Sequence, residues 1–418
     1  MKRFYAILAV SFALYASGMS WYLLKGDLFS IQESYRGTAA DPHTFMSSAQ
    51  IEQAESLSRI HSLTYFLVSP LRMALLLVLL GASATFRNAV EAWFRRALWR
   101  MPVFVLLFLL VTYLLFLPVD VLLLKVDRHY GISNETPMMF LSDLSKDFVM
   151  EWLATVVMLW IFYFIMKRSP RRWWLWFWLA SIPLILFVQF LQPVVLEPLY
   201  NDFQPLQNEE LKQSILSLTV KADIPTDQVY EVNMSERTST INAYVSGIGN
   251  HARIVIWDTT LKRLKTDEIL TVMAHEMGHY VEKHIYWGLL FSVLLSLGVF
   301  WISFHAFHYG ILRWGPHWGI RGVEDLAALP LLLLIVTLLN FAVAPLENAF
   351  SRVEERRADR YAMEITGDGT AAIRAFQKIA KENLSPVTQP NLVQWFRGSH
   401  PTILERVQYF DQFQKDAK

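Results

Sequence analysis

Cysteine is absent from this 418-residue chain. That excludes disulfides and thiolate metal sites, so any metal must be held by His, Asp or Glu. Charge is scarce too. Only 18% of residues are Asp, Glu, Lys or Arg, against about a quarter in soluble proteins. The signs nearly cancel, 38 basic against 37 acidic, leaving a formal net charge of +1; nothing here suggests nucleic acid as a partner. Internal repeats and low-complexity tracts are lacking. In place of charge stand 54% hydrophobic and 14% aromatic residues, with a mean hydropathy of +0.29. This is the composition of a membrane protein.

A spanning helix needs about 20 mostly apolar residues. Seven stretches qualify, at roughly 5–24, 63–85, 103–124, 148–166, 173–196, 285–307 and 326–344. The first has no convincing small-residue cleavage site and is polar at Ser17-Gly18, so it is expected to remain as a helix rather than leave as a signal peptide. Trp152, Trp174, Trp176 and Trp178 suit interfacial belts. With seven spans the termini fall on opposite sides. Short segments on the amino-terminal side carry twelve Lys and Arg, and the two short loops opposite carry six. The positive-inside rule then places the amino terminus in the cytoplasm and the polar remainder outside.

That remainder comes in two pieces. The expected division is 1–196 for the first five spans, 197–284 for one polar insertion, 285–345 for the last two spans and 346–418 for a second polar piece. Together the polar pieces suffice for one domain. Within the first, 240–246 and 253–258 alternate and are rich in β-formers, with Gly247-Ile248-Gly249-Asn250-His251 between them, which reads as a hairpin. Thr266 is expected to cap the following helix, with Asp267 and Glu268 in its first turn. That helix should run on into the sixth span. A second helix should continue the seventh span to about residue 365 and stop at Gly367-Asp368-Gly369.

The first of these helices contains Ala274-His275-Glu276-Met277-Gly278-His279. Two histidines four apart lie about 40° apart on a helix, so both imidazoles can bind one metal ion. Glu276 points a quarter turn away and can handle a water's protons. H-E-x-x-H in a helix is the pattern of a zinc hydrolase. A catalytic zinc takes three protein ligands and one water, so one ligand is missing. The best source is the carboxylate cluster Glu354, Glu355 and Asp359. Glu355 and Asp359 share a helix face: one can bind the ion while the other accepts the far N–H of a ligand histidine. His400 is a candidate donor to the developing oxyanion.

Bland readings compete with these. His284 lies nine residues from His275, on the opposite side of a continuous helix, and reads as a membrane-border histidine. His400 precedes Pro401, and a His-Pro pair is often only a turn. Arg352, Arg356 and Arg357 read as a solvated charge run. Asp120, Arg72 and Glu151 fall within or near spans, where ionisable groups either serve function or pair with one another.

Ser351-Arg352-x-x-Glu355-x-x-Ala358-Asp359 resembles the S-R-x-x-E-x-x-A-D signature of the integral-membrane CAAX prenyl proteases. The H-E-x-x-H helix, the seven spans, and Ser399-His400-Pro401 followed by Arg406 are also similar, over essentially the whole chain. The resemblance implies a mainly α polytopic fold. Seven helices enclose a water-filled chamber, capped by a thermolysin-like protease domain with a small hairpin or sheet. It implies one Zn2+ held by His275, His279 and Glu355, Glu276 as general base, and Asp359 as the supporting carboxylate. His400 matches the family histidine near the scissile bond. Asn242-Ala243-Tyr244 resembles the edge strand that pairs with substrate backbone, and Arg406 is implied to help hold the substrate's tail. The implied substrate is a peptide or protein, carboxyl-terminally prenylated in the family's known cases. The family's eukaryotic members carry their catalytic domain on the cytosolic face, the reverse of what the Lys and Arg bias indicates here. The compact chain fits a bacterial member in the cell membrane, where prenylated substrates are few. A quality-control protease for misfolded membrane proteins is therefore the alternative enzyme. A scaffold or transporter with a structural metal is the alternative outside enzymes, although Glu276 has no use in such a site.

Overall fold

The computed structural model describes residues 2–25, 27–191, 195–247 and 252–416. The chain is mainly helical. Helices α1 (Lys2–Leu24), α2 (Ser48–Trp93), α3 (Ala97–His129), α4 (Pro137–Arg168) and α5 (Trp173–Leu186) come first. A polar stretch follows, with β1 (Phe203–Pro205), α6 (Glu209–Lys221), β2 (Val229–Val232), β3 (Ala243–Ser246), β4 (Arg253–Trp257), α7 (Asp258–Arg263) and α8 (Thr266–Val281). Two long helices, α9 (His284–Trp314) and α10 (Leu329–Thr366), are succeeded by α11 (Gly369–Glu382), α12 (Asn391–Arg397) and α13 (Ile403–Asp416). Among the described residues, seven helices are long and apolar enough to cross a membrane, as expected.

Six of them close a ring. α2 packs on α3, α3 on α4, α4 on α5, α5 on α9, α9 on α10, and α10 returns to α2; α1 lies against α2. Two interior cavities, of about 840 Å³ and 390 Å³, both touch Leu333 on α10. Composition cannot show such a chamber, because helices around a hollow carry the same apolar residues as helices around a core. The end of the ring far from the polar domain is packed solid by Phe104, Met166, Trp173 and Phe307, each at most 2% exposed. Trp152 and Trp178, expected at the lipid interface, turn inward instead. Their indole N–H groups donate to the carbonyls of Pro102 (3.0 Å) and Val293 (3.2 Å), which satisfies a polar edge inside hydrocarbon.

The polar residues form a four-stranded sheet of order β1-β2-β4-β3. β3 runs antiparallel to β4 with Ala243 opposite Ile256, so the expected hairpin is present and β3 is an edge. Most of its turn, 248–251, lies outside the described residues. Ile254, Val255 and Ile256 are fully buried, against a core shared by α6 and α8 and joined by Ala375 of α11. Segments before and after the last two spans thus share one core.

Two local expectations need correction. Thr266 is not the cap of α8. Lys265 holds that position, and Glu268 closes the turn by accepting from the Lys265 N–H at 2.7 Å. Nor does α8 run on into the sixth span. The chain breaks at Lys283, whose φ is +59°, and α9 starts in a new direction at His284. The seventh span does continue unbroken, as expected, through α10 to Gly367 at φ +65°. Left-handed backbone there is cheap only without a Cβ.

Candidate metal centre and catalytic cleft

α8 and α10 carry the site, and a glycine sets how closely they meet. A Cβ on Gly278 would sit 3.1 Å from the Ala358 Cα. Two small residues, one from each sequence motif, bring the helices together, and His275, His279 and Glu355 then converge. His275 Nε2 lies 3.2 Å from Glu355 Oε2, His279 Nε2 lies 3.3 Å from Glu355 Oε1, and the two Nε2 atoms are 3.3 Å apart. A tetrahedral ion with bonds of about 2.0–2.1 Å holds its ligand atoms about 3.3 Å apart. Glu355 Oε2 is buried and, among the described residues, accepts no hydrogen bond. An orphaned carboxylate oxygen facing two imidazoles fits a dication, so this donor set suits a metal. Of the described residues it is the one group of three His, Asp or Glu with that convergence.

A second layer supports the first. His275 Nδ1–H donates to Asp359 Oδ1 at 2.9 Å. Arg406 Nε–H donates to Asp359 Oδ2 at 2.9 Å, and its guanidinium lies 4.0 Å from the Phe376 ring centre. Asp359 and Arg406 are both buried, 2% and 6% exposed. Arg406, expected to hold a substrate tail, lies buried beneath the candidate ligands, bonded to Asp359 and with Nη2 3.1 Å from His275 Nδ1. Burial and Arg406 push the His275 pKa down, but the adjacent carboxylates of Asp359 and Glu355 outweigh them and raise it to about 9.

His284 departs from its expected place. The break at Lys283 swings it back over α8, where its Nδ1 lies 3.0 Å from His279 Nδ1. A nine-residue spacing puts it opposite His275 only on a continuous helix, and the helix is interrupted at Lys283. His400 reaches the centre from the α12–α13 connection, with Nε2 3.3 Å from Glu355 Oε1. Ser399 Oγ sits 2.8 Å from His400 Nδ1. Arg352, read from sequence as solvated, donates to the carbonyls of Gln394 (2.9 Å) and Gly398 and so anchors the turn that presents His400. No spacing rule could have found that link, because its partners lie more than forty residues away.

A cleft of about 540 Å³ opens beside these groups, lined by Glu276, His279, His284, Glu354 and the edge residues Tyr244, Val245 and Ser246. Glu276 is half-buried there, and burial raises its pKa while His275 and His279 pull it back. Glu354, the less favoured carboxylate of its pair, also lines this cleft, and its Oε1 is buried without a partner among the described residues. Asn242 precedes β3, and its Oδ1 accepts from the Ala243 N–H at 2.8 Å. Tyr244 donates to Glu197 at 2.7 Å, and that bond together with burial raises the phenol's pKa.

Fold and site together define a membrane-embedded metalloendopeptidase. The chain belongs to Peptidase family M48, whose pattern matches residues 205–413. Residues 35–202 match the CAAX prenyl protease N-terminal region of five membrane helices. The chain is 41% identical over 414 residues to the Bacillus subtilis uncharacterized metalloprotease YhfN, covering 99% of this chain and 97% of that one. It is 28% identical over 308 residues to CAAX prenyl protease 1 of Saccharomyces cerevisiae, covering 70% and 68%. The crystal structure of S. mikatae Ste24p matches with a TM-score of 0.80 at 22% identity, over 97% of this chain and 98% of that one. The seven-helix chamber fold expected from the sequence is therefore shared, and the protein is a multi-pass integral membrane protein that acts on peptides.

Proposed function

We propose that this protein is a zinc endopeptidase for membrane-associated peptides, carboxyl-terminally prenylated CAAX peptides foremost. The convergence of His275, His279 and Glu355 on one point, with Glu276 in the adjoining cleft, carries the reading. The protease unit is built from 197–284 and 346–418, and the helices of 1–196 and 285–345 form its chamber. His275, His279 and Glu355 hold the ion; an all-N/O donor set without cysteine suits zinc. When bound, the ion polarises the scissile carbonyl and makes water nucleophilic near neutral pH.

The chain's own residues do the rest. Glu276 takes the proton of the attacking water and passes it to the leaving nitrogen; a carboxylate with a raised pKa serves both steps. Ser399 Oγ–H donates to His400 Nδ1, which leaves the hydrogen on Nε2, aimed at the centre. From there it can donate to the oxyanion as charge develops. The β3 edge, Asn242 to Tyr244, pairs with an extended substrate backbone. Arg406 and Asp359 fix the His275 ring and its tautomer, and His284 does the same for His279.

Prenylated substrates are supported by the relatives named CAAX prenyl protease 1. The test is cleavage of farnesylated and bare CAAX peptides by the purified protein. Activity should vanish with chelator, return with Zn2+, and favour the farnesylated peptide. Equal rates on both peptides would refute the prenyl preference, and full activity in chelator would refute the zinc assignment.

A further inference from the structure

The catalytic cleft is more negative than its chemistry requires. Glu197, Glu276 and Glu354 line it, and among the described residues no Lys or Arg does. Two of these carboxylates are accounted for. Glu276 is the base, and together with Glu355 it offsets the charge of a bound dication. Glu197 accepts from Tyr244 at 2.7 Å and lies 3.8 Å from the Arg253 guanidinium. Glu354 has no such partner. It stands one residue, about 100° of helix, from Glu355 and is not in the group that converges on the ion. Its Oε1 is buried, and no donor among the described residues reaches it. Arg357, one turn along α10, is bonded to Glu282 instead. The other buried unpartnered atom of this lining, His284 Nε2, is satisfied by a water or a substrate carbonyl. A carboxylate oxygen in a cleft without cations requires a positive donor. The same sign continues inward. Glu197 borders a pocket of about 440 Å³ with Asp147 and Tyr200. Those two also line the larger interior cavity, where Asp120, Asp143 and Glu151 stand with Arg72 as the one cation among the described lining residues. The smaller cavity is walled mainly by aliphatic and aromatic side chains.

We propose that Glu354 is a specificity-determining residue: its carboxylate binds the ammonium or guanidinium of a substrate Lys or Arg beside the bond that is cut. This rests on the endopeptidase reading above and is independent of prenylation. Position along the chain sets which substrate residue is read. Consecutive Cα atoms are about 3.8 Å apart, so Glu354 stands beside the ligand that fixes the reacting centre. Its partner therefore belongs to a residue adjoining the scissile bond rather than one farther along the peptide. The contact forms as the peptide binds and persists in the transition state, so it is read mainly in KM. A hydrogen bond between a cation and a partly desolvated carboxylate raises affinity roughly ten- to hundredfold. The acidic pocket and cavity behind Glu197 add a field of the same sign, which favours approach of a cationic peptide.

The experiment uses the full-length protein and one peptide, acetylated and amidated at its ends, whose cut bond is first mapped by mass spectrometry. The residue on each side of that bond is then replaced in turn by lysine, glutamine, norleucine or glutamate, and kcat and KM are measured. Wild type is compared with Glu354→Gln, with Glu354→Lys, and with Glu364→Gln, which alters an exposed carboxylate on the same helix. At one of the two positions wild type should prefer lysine over norleucine by tenfold or more, mainly through KM. Glu354→Gln should bring that ratio to about one, Glu354→Lys should turn the preference toward glutamate, and Glu364→Gln should keep the wild-type ratio. If wild type cut none of the peptides, the endopeptidase reading would fall and this inference with it. Cleavage with no lysine preference, an equal gain from the neutral donor glutamine, or a preference that survives Glu354→Gln would refute the inference alone. Should the Glu354 variants fail to fold, wild type is treated with a carbodiimide in the presence of the lysine peptide, N-methylated at the mapped bond to block cleavage. An amide between the peptide lysine and Glu354 supports the assignment; one confined to Glu197 or Glu276 overturns it.

Discussion

Two buried Arg–Asp pairs sit at opposite ends of this molecule, and they do different work with the same chemistry. At the catalytic end Asp359 accepts from Arg406 on one side and from His275 on the other. At the far rim Asp325 pairs with Arg87, each 5% exposed or less, while Arg87 also donates to the Gly319 carbonyl and Asp325 caps a turn by accepting from the Ala327 N–H. The first pair's third partner is a metal-facing imidazole; the second pair's other partners are backbone. A buried ion pair is thus a device for holding whatever its spare hydrogen-bonding atoms reach, and its location decides whether that is a reaction centre or a loop.

Mutations should separate the two ends. The largest effect is expected at the cleft. Glu276→Gln removes the base without touching either pair and should lower kcat by ~10²–10⁴-fold, with metal content and thermal stability unchanged; measurable turnover near wild type would exclude Glu276 as base. At the far rim, Asp325→Ala strands Arg87 in a buried site and should cost about 3–5 kcal/mol of stability. Thermal unfolding in detergent should show it, while kcat/KM of the folded fraction stays at the wild-type value. Asp359→Asn should do the reverse: metal affinity in a chelator competition falls ~10–100-fold. If Asp359→Asn and Asp325→Ala gave the same pattern, the distinction drawn between the pairs would be wrong. A smaller shift is expected for His284→Ala, roughly tenfold in metal affinity, because one support of His279 is lost while all three ligands remain. The smallest concerns Arg321→Ala. Its pair with Glu91 at 3.0 Å is largely exposed, and such pairs contribute about 1 kcal/mol or less.

Much of the site was legible in the chain. His275, Glu276 and His279 announce themselves by spacing, and Glu355 and Asp359 by a helix face, because one helix turn is a short-range rule. The hairpin that carries Ala243 followed from alternation. What escaped was anything set by a single backbone angle or by distant packing. One left-handed residue, Lys283, moved His284 from the lipid border onto His279. Arg352 passed for a solvated charge because its acceptors, the carbonyls of Gln394 and Gly398, become neighbours only when the tail folds back over α10. That Arg406 bonds to Asp359 was hidden for the same reason.

Sequence alone settled the class of chemistry and the seven membrane helices, since ligand spacing and apolar length are local quantities that survive any arrangement of the rest. Only the tertiary structure decided that the helices enclose a hollow with one acidic and one apolar wall. The same structure decided that Gly278 meeting Ala358 draws one distant carboxylate, Glu355, and two imidazoles to one point. Hollows and convergences are relations between elements, and no single stretch of chain contains them.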